Sequence, residues 1–392
     1  MLNAVIRAPL LTLSGYGVHS RQVYSWLERS GKFKICTQPV NWGNTTWLIN
    51  PDYESGMIGR IMASTGDNPP GGFDISFQVQ LPDEWEPSLA KVNVGITAAV
   101  ETDRCNPSWI ECCNKMDAVI VPSHHTKKVL EASGSLSTPV YVVPEWYFEE
   151  IDSEKLDSSN KLDLGLDTSF NFLLVGTFTG GAPETDRKNI YSTVKWFCEV
   201  FKDDPDVSLV LKTSHGKGTR IDRQITRNKL RALVSEIRTG PYPKIKFIHG
   251  NLFPDEIVQI YKDESIHCLL SLTRGEGFGL PLLEASACKL PVIVTNWAAH
   301  LDFLKMGKFI PIDYNLVEIP TARVDNRIFI PGTRWAEPIE SDFKRKIVKI
   351  RNKYDMPKKW ASDLSVKVRD KFSSSSIRRQ YDKVIEEIME NR

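Results

Sequence analysis

No apolar run in the 392-residue chain approaches the ~18 residues that cross a bilayer, so no integral membrane helix is expected. Cysteine is scarce: of seven, only Cys112 and Cys113 stand close together, which gives neither a disulfide framework nor zinc-ligand spacing. A reducing, cytoplasmic setting fits that usage. Net charge is also nearly absent, +1 from 50 Lys+Arg and 49 Asp+Glu, which argues against a generic polyanion binder. No short-period repeat is visible. The opening MLNAVIRAPLLTL lacks a charged leader and a small-residue cleavage site, and reads as a first buried strand.

What is present is ordinary globular composition, 41% apolar and 25% charged, in a chain too long for one usual core. Two domains are therefore expected. Charge is unevenly distributed. Between Lys212 and Lys246 the Lys/Arg positions are 212, 217, 220, 223, 227, 229, 231, 238, 244 and 246, against only Asp222 and Glu236. A solvated helix face is the plainer reading of such a block, and an anionic acceptor the sharper one.

Short β-rich runs alternate with helical patterns, which signals parallel sheets covered by helices. In the first half they are NAVIRA (3–8), FKICTQPV (33–40), FDISFQV (73–79), VNVGITAA (92–99), AVIVPS (118–123) and PVYVVP (139–144). The polar stretch EEIDSEKLDSSNKLDLGLDTS has no sustained periodicity and reads as a linker. A second series follows: FNFLLVGTF (170–178), SLVLKTS (208–214), IKFIHG (245–250), IHCLLSL (266–272) and PVIVTN (291–296). Helical spacing of Ile190, Val194, Phe197 and Phe201 joins its first two strands, and Ile377, Tyr381, Val384, Ile385 and Ile388 mark a terminal amphipathic helix. The fold class is α/β: two Rossmann-like domains, 1–160 and 161–372, with a helix at 373–392. Ligands of open α/β sheets bind at the carboxyl ends of strands, so the cleft between the domains is the place for chemistry.

The stretch TRGEGFGLPLLEA (273–285) puts Glu276 between Gly275 and Gly277, with Glu284 eight residues on. Pro281 is tolerated near the first turn of the following helix, whose unpaired N–H groups form an anion seat. The glycines are read as allowing a ligand close to the backbone. A carboxylate facing that anion would be repelled, so each Glu should face sugar hydroxyls, which donate to it. An early helical Glu can also merely complement the dipole, which would explain Glu284 but not Glu276.

GEGFGLPLLEASACKLPVIVTN resembles the signature of the retaining, GT-B-fold glycosyltransferases of family 4, group 1, including phage-encoded members. GTFTGGAPETDRKN and KFIHGNLFPDEIVQIYKDESIHCLLSLTRGEGFGL extend the likeness across the second half. The resemblance implies that Glu276 contacts the transferred sugar and Glu284 the ribose diol. It places diphosphate on N–H groups around Phe278, Gly279 and Leu280. Lys188 matches the family lysine. The usual Arg after the strand glycine is missing, since Thr177 follows Gly176, and Arg187 or Lys212 is the candidate replacement. Gly250 and Asn251 fall in the nucleotide-binding strand-loop. SGYGVHS (14–20) resembles the family's N-terminal glycine loop, with Gly15 and Gly17 near the donor; alone, G-x-G equally suits a tight strand–helix turn. His19 within it can face the cleft or cap local structure. Where the family has a His in the first domain, this chain has TAAVETDRCNPSW. Glu101 is the expected substitute and Asp103 a candidate acceptor base, beside the plainer reading of a polar loop. The terminal helix is expected to cross back to the first domain.

Two lookalikes are set aside. Asp204-Pro-Asp206 imitates a D-x-D metal site but sits in a turn, KDDPDVS. The GEGFG loop fails the dinucleotide spacing and lacks the later acid. The expected activity is sugar transfer from a nucleoside diphosphate sugar, UDP- or GDP-linked, with retention and without metal or other cofactor. The acceptor is open between a glycan or small molecule and a hydroxymethylated DNA base. Oligomeric state is not indicated. The alternatives are a catalytically silent nucleotide-sugar-binding subunit and a nucleotide-sugar epimerase.

Overall fold

A computed structural model describes residues 1–66, 68–153, 162–214 and 216–390. The expected boundary at 160/161, with residues 154–161 of the linker around it, lies outside the described residues.

The first half contains β1 (Leu2–Ala8), α1 (Gly15–Ser30), β2 (Phe33–Pro39), α2 (Tyr53–Ala63), β3 (Phe73–Val79), β4 (Ala90–Ile96), α3 (Pro107–Cys113), β5 (Ala118–Val121), α4 (His124–Ser133) and β6 (Val140–Val142). Its six strands form one parallel sheet in the order β2-β1-β3-β4-β5-β6. Buried on both faces, β5 (AVIV) carries a continuous apolar run, as parallel strands commonly do, whereas β3 alternates and satisfies its buried Ser76 and Gln78 by hydrogen bonds to Asn93 Oδ1 and Glu86 O. The expected fourth strand is shorter than read. It ends at Ile96, and Thr97–Ala99 turn away into a loop in which Ala99 takes a positive φ of 48°.

The second half contains β7 (Phe170–Val175), α5 (Ile190–Val200), β8 (Val207–Thr213), α6 (Arg220–Ile237), β9 (Lys244–His249), α7 (Pro254–Lys262), β10 (Ile266–Ser271), α8 (Leu280–Ala287), β11 (Val292–Thr295), α9 (Leu301–Leu304), β12 (Ile310–Ile312), β13 (Tyr314–Glu318), β14 (Arg334–Pro338), α10 (Glu340–Asn352), α11 (Asp355–Lys371) and α12 (Ser374–Glu390). The order β12-β11-β10-β7-β8-β9 is again parallel throughout. Strand order reverses between β7 and β10, so the loops leaving those two strands open the crevice where such sheets take ligands. Those loops are 176–189 and 272–279. The sixth strand β12 and the antiparallel β13–β14 pair were not read from the sequence.

Helix α12 returns to the first domain. Tyr381 stacks on Trp26 at 5.0 Å, its hydroxyl meets His19 Nε2 at 3.1 Å, and Trp26 Nε1 donates to Asp382. His19 is thereby buried and occupied as a packing contact. Burial pushes its imidazole down to about 4, so it is neutral.

Candidate functional site

The two sheets present their carboxyl ends to a shared cleft of about 700 Å³. Its second-domain wall is the helix start that the motif implied. Gly279, at φ +99°, is the N-cap of α8, and Pro281 occupies the first turn. Leu282 and Leu283 N–H donate to Gly279 O and Pro281 has no N–H, so the Leu280 amide, at the cleft wall, is the one that the helix start offers to an anion. Phe278 anchors the loop from below against Phe303 and Phe372. Gly279, Leu280, Glu276 and Glu284 all line the cleft.

Two loops meet at Glu276. Lys188 Nζ donates to Glu276 Oε1 at 2.6 Å. Arg187 Nη1 lies 3.6 Å from Glu276 Oε2 and donates to the Gly275 carbonyl at 2.6 Å, while Arg187 Nη2 reaches Glu101 Oε1 at 3.2 Å. Four sequence candidates thus form one chain of alternating charge, Lys188–Glu276–Arg187–Glu101, across the cleft. Burial alone would raise the Glu276 carboxyl; Lys188 and Arg187 outweigh it and hold the group at about 2.

Arg187 and Lys188 precede α5, where the dipole disfavours cations, so something must fix them. The fixing residue is Arg274. Its guanidinium donates to the carbonyls of Pro183 and Asp186, pairs with Glu337 on β14 and lies 5.2 Å above the Trp335 ring. Its N–H also donates to Arg187 O at 2.8 Å. Asp186 completes the loop, accepting from Thr179 N–H and Oγ1 and from the first amide of α5.

Glu284 is buried deeper along the same wall. Burial pushes its carboxyl up to about 8, against the pull of Tyr261 and Lys212. Lys212, at the end of β8, is lowered by its own burial despite Glu284. Asn251 lines the mouth, where its amide reaches Thr46 of the first domain. Gly250 does not line the cleft; with φ +119° it turns the chain out of β9 and so positions Asn251.

The first-domain wall requires corrections. Gly15 lines the cleft at the start of α1, and a Cβ there would meet nothing within 4 Å. Gly17 serves packing instead: its Cβ would lie 2.1 Å from Thr12 O. Gly275 and Gly277 likewise make room for protein rather than ligand. A Cβ on Gly275 would be 2.0 Å from Glu101 O, and one on Gly277 2.8 Å from Ala98 O. Asp103 is not an available base. It accepts from Arg334 N at 2.7 Å and Arg334 Nε at 2.8 Å, and it lies outside the cleft lining.

Residues that sequence reasoning missed include Glu145, Tyr16 stacked on Trp42 at 4.0 Å, and His300. His300 packs behind Gly279, donates its Nε2–H to Thr295 O at 2.8 Å, and faces Glu276. Its signal was the His of VTNWAAH, which follows a strand as the absent first-domain His would have done. Among the described residues no three His, Cys, Asp or Glu side chains gather as metal ligands.

Residues 226–318, which contain the α8 anion seat and both cleft glutamates, match the family Glycosyl transferases group 1. The match covers part of the second domain, and the chain as a whole has the GT-B fold. A probable sucrose-phosphate synthase of Thermosipho melanesiensis is 30% identical over 125 residues, 31% of this chain and 27% of that protein. The serotype-specific mannosyltransferase WbdA of Escherichia coli is 27% identical over 141 residues, 36% of this chain and 15% of its own length. The chain thus matches well under a third of these curated relatives. Whole-chain likeness appears among solved structures. A glycosyltransferase from Rickettsia africae aligns at TM-score 0.67 and 15% identity, over 100% of this chain and 99% of that one. Anabaena HepE in complex with UDP and glucose aligns at TM-score 0.63 and 12% identity, over 99% and 100%. At such identities these two structures establish the fold alone.

Proposed function

We propose that this protein transfers a sugar from a UDP- or GDP-sugar to an acceptor hydroxyl, with retention of configuration and without a metal. The carrying observation is the Lys188–Glu276–Arg187–Glu101 chain beside the α8 start. A departing diphosphate develops negative charge, and Lys188, Arg187 and the Leu280 amide supply pre-oriented positive charge in a water-poor cleft. Lys188 then exchanges Glu276 for phosphate oxygen, which releases the Glu276 carboxylate to accept from sugar hydroxyls. Glu101 holds Arg187 in place from the first domain. Attack from the face that the diphosphate leaves needs no nucleophilic carboxylate, unlike the retaining hydrolases. Arg187 replaces the arginine that the family usually carries after the strand glycine. The domains meet over the site, and that closure keeps water from the donor.

Incubation with UDP-, GDP- and ADP-sugars, followed by mass spectrometry, tests this reading. Slow release of nucleoside diphosphate with the sugar's configuration kept supports it. An altered sugar on intact nucleotide makes the protein an epimerase, and binding without turnover makes it a silent subunit.

For the acceptor, one observation favours an anionic carrier such as hydroxymethylated DNA over a neutral glycan. Arg223, Arg227, Arg231 and Arg238 line a groove of about 630 Å³ between α6 and the edge strand β9, floored by Leu230, Val234, Ile245 and Phe247. Among the described residues the first three have no carboxylate within salt-bridge distance, although like charges at i, i+4 repel. Duplex binding through this groove must weaken steeply with salt. A flat affinity series from 50 to 200 mM salt removes DNA as acceptor.

A further inference from the structure

Glu145 lines the cleft with 5% of its surface exposed, and its Oε2 meets no hydrogen-bond partner among the described residues. Its segment is fixed on both sides. Val143 N–H donates to Val121 O, the Gln22 amide clamps both backbone groups of Trp146, and the Arg378 guanidinium lies 5.0 Å over the Trp146 ring. A buried carboxylate with an unmet oxygen costs stability, and an apolar or amide side chain of similar volume would fill the space without that cost. Strain kept at a cleft wall points to a ligand.

The groups facing Glu145 explain which ligand. From α1 comes Tyr16, whose hydroxyl is engaged with Thr97 Oγ1 and Ala98 N–H, and from α12 Tyr381, whose hydroxyl meets His19. From α8 comes Glu284, backed by Tyr261 of α7 and Lys212 of β8. None of these is a cation paired with Glu145. We propose that Glu145 is a second ribose-binding carboxyl group, reaching from the first domain toward Glu284 so that the two together grip the vicinal hydroxyls of the sugar nucleotide. This rests on the reading that Glu284 holds the ribose.

A vicinal diol offers two O–H donors and several lone pairs, so its best partners both accept and donate. Burial, with the Glu284 charge added, pushes Glu145 up to about 8, and burial does the same to Glu284. At neutral pH the pair therefore carries protons, donates as well as accepts, and adds little negative charge beside a diphosphate. Above pH 8 both ionise and repel it. A ligand held by both carboxyls also ties the two domains together.

Calorimetric titration of UDP and GDP into the full chain, with Glu145→Met, Glu145→Gln and Glu284→Gln, tests this. Glu145→Met should bind about tenfold or more weakly, the loss of one good hydrogen bond. It should also melt a few degrees higher, since the unpaired acid is gone. Glu145→Gln should bind within about threefold of the parent at pH 7 and lose the weakening that the parent shows from pH 7 to 9. Unchanged affinity in Glu145→Met, a lower melting point with unchanged affinity, or an unaltered pH slope in Glu145→Gln each overturns the inference. If Glu284→Gln weakens binding and Glu145→Met does not, only this inference fails. If neither does, the ribose reading fails with it.

Discussion

A Cβ on Gly275 would lie 2.0 Å from the carbonyl oxygen of Glu101, closer than any atom pair tolerates. The glycine is there because the backbone of the first domain presses onto the 273–277 loop of the second. The same contact sets Glu101 within reach of Arg187. Gly275→Ala should therefore push the domains apart or distort the 273–277 loop, an overpacking cost of about 1–3 kcal/mol. Small-angle scattering should show a larger radius of gyration, and transfer should fall by about tenfold or more. Gly181→Ala, where a Cβ meets nothing within 4 Å, is the matched control and should change neither.

The Lys188–Glu276 contact at 2.6 Å has a kinetic signature. Lys188→Ala removes charge that counts most when the diphosphate leaves, so kcat/KM should drop on the order of 10²–10³-fold. Glu276→Ala removes a sugar contact and the partner that orients Lys188, with a loss of similar size. Near-parent turnover in both variants would reject the proposed division of roles.

Much of this site was legible because its chemistry is local in sequence. Glu276, Glu284 and the α8 start lie within one strand–turn–helix unit, whose apolar strand, glycines and helix-opening proline all carry signals of their own. Lys188 stood out through the family motif it matches, and Arg187 as a candidate for the arginine missing after Gly176. What stayed hidden depends on distant partners. Nothing in GEGFG says that its glycines clear space for residues 98–101. Asp103 reads as a cleft acid until Arg334, far along the chain, claims both of its oxygens. Glu145 in VVPEWYF looks like a surface residue after a strand, and only the return of α12 and the approach of α8 bury it. The β13–β14 pair escaped because its strands are short and joined by a long loop, so no hairpin signal links them.

Acid should loosen the cleft before it unfolds the domains. Glu276 is held near 2, below its ordinary 4.5, so its contribution is fully present above about pH 4.5 and lost as pH falls toward 2. The contribution is a few kcal/mol in size, and Glu276→Gln should remove that part of the acid sensitivity. Glu145 and Glu284 act with the opposite sign. Their folded values near 8 lie above 4.5, so the folded state loses stability as pH rises between those values. Melting curves from pH 3 to 9 should separate the two slopes, with Glu145→Gln flattening the alkaline one.

Asp103 is better understood as a clasp than as a base. Its N–H donates to Arg334 O while its carboxylate takes Arg334 N–H and Nε, and nearby Arg327 pairs with Asp83 and Glu84 and Arg104 Nη2 donates to Gly332 O. All of these tie the loop between β13 and β14 to the first domain on the outer side of the cleft. Arg334 and Arg327 are 50% and 46% exposed, so each pair is worth under about 1 kcal/mol and is screened by salt. Asp103→Asn should keep kcat within about threefold, whereas loss of a general base costs roughly 10²–10⁴-fold. Adding Arg327→Ala should raise KM for the donor more than it lowers kcat, because an opened clasp taxes binding and not chemistry. A kcat collapse in Asp103→Asn alone, with the fold intact by circular dichroism, would restore the acid to the reaction.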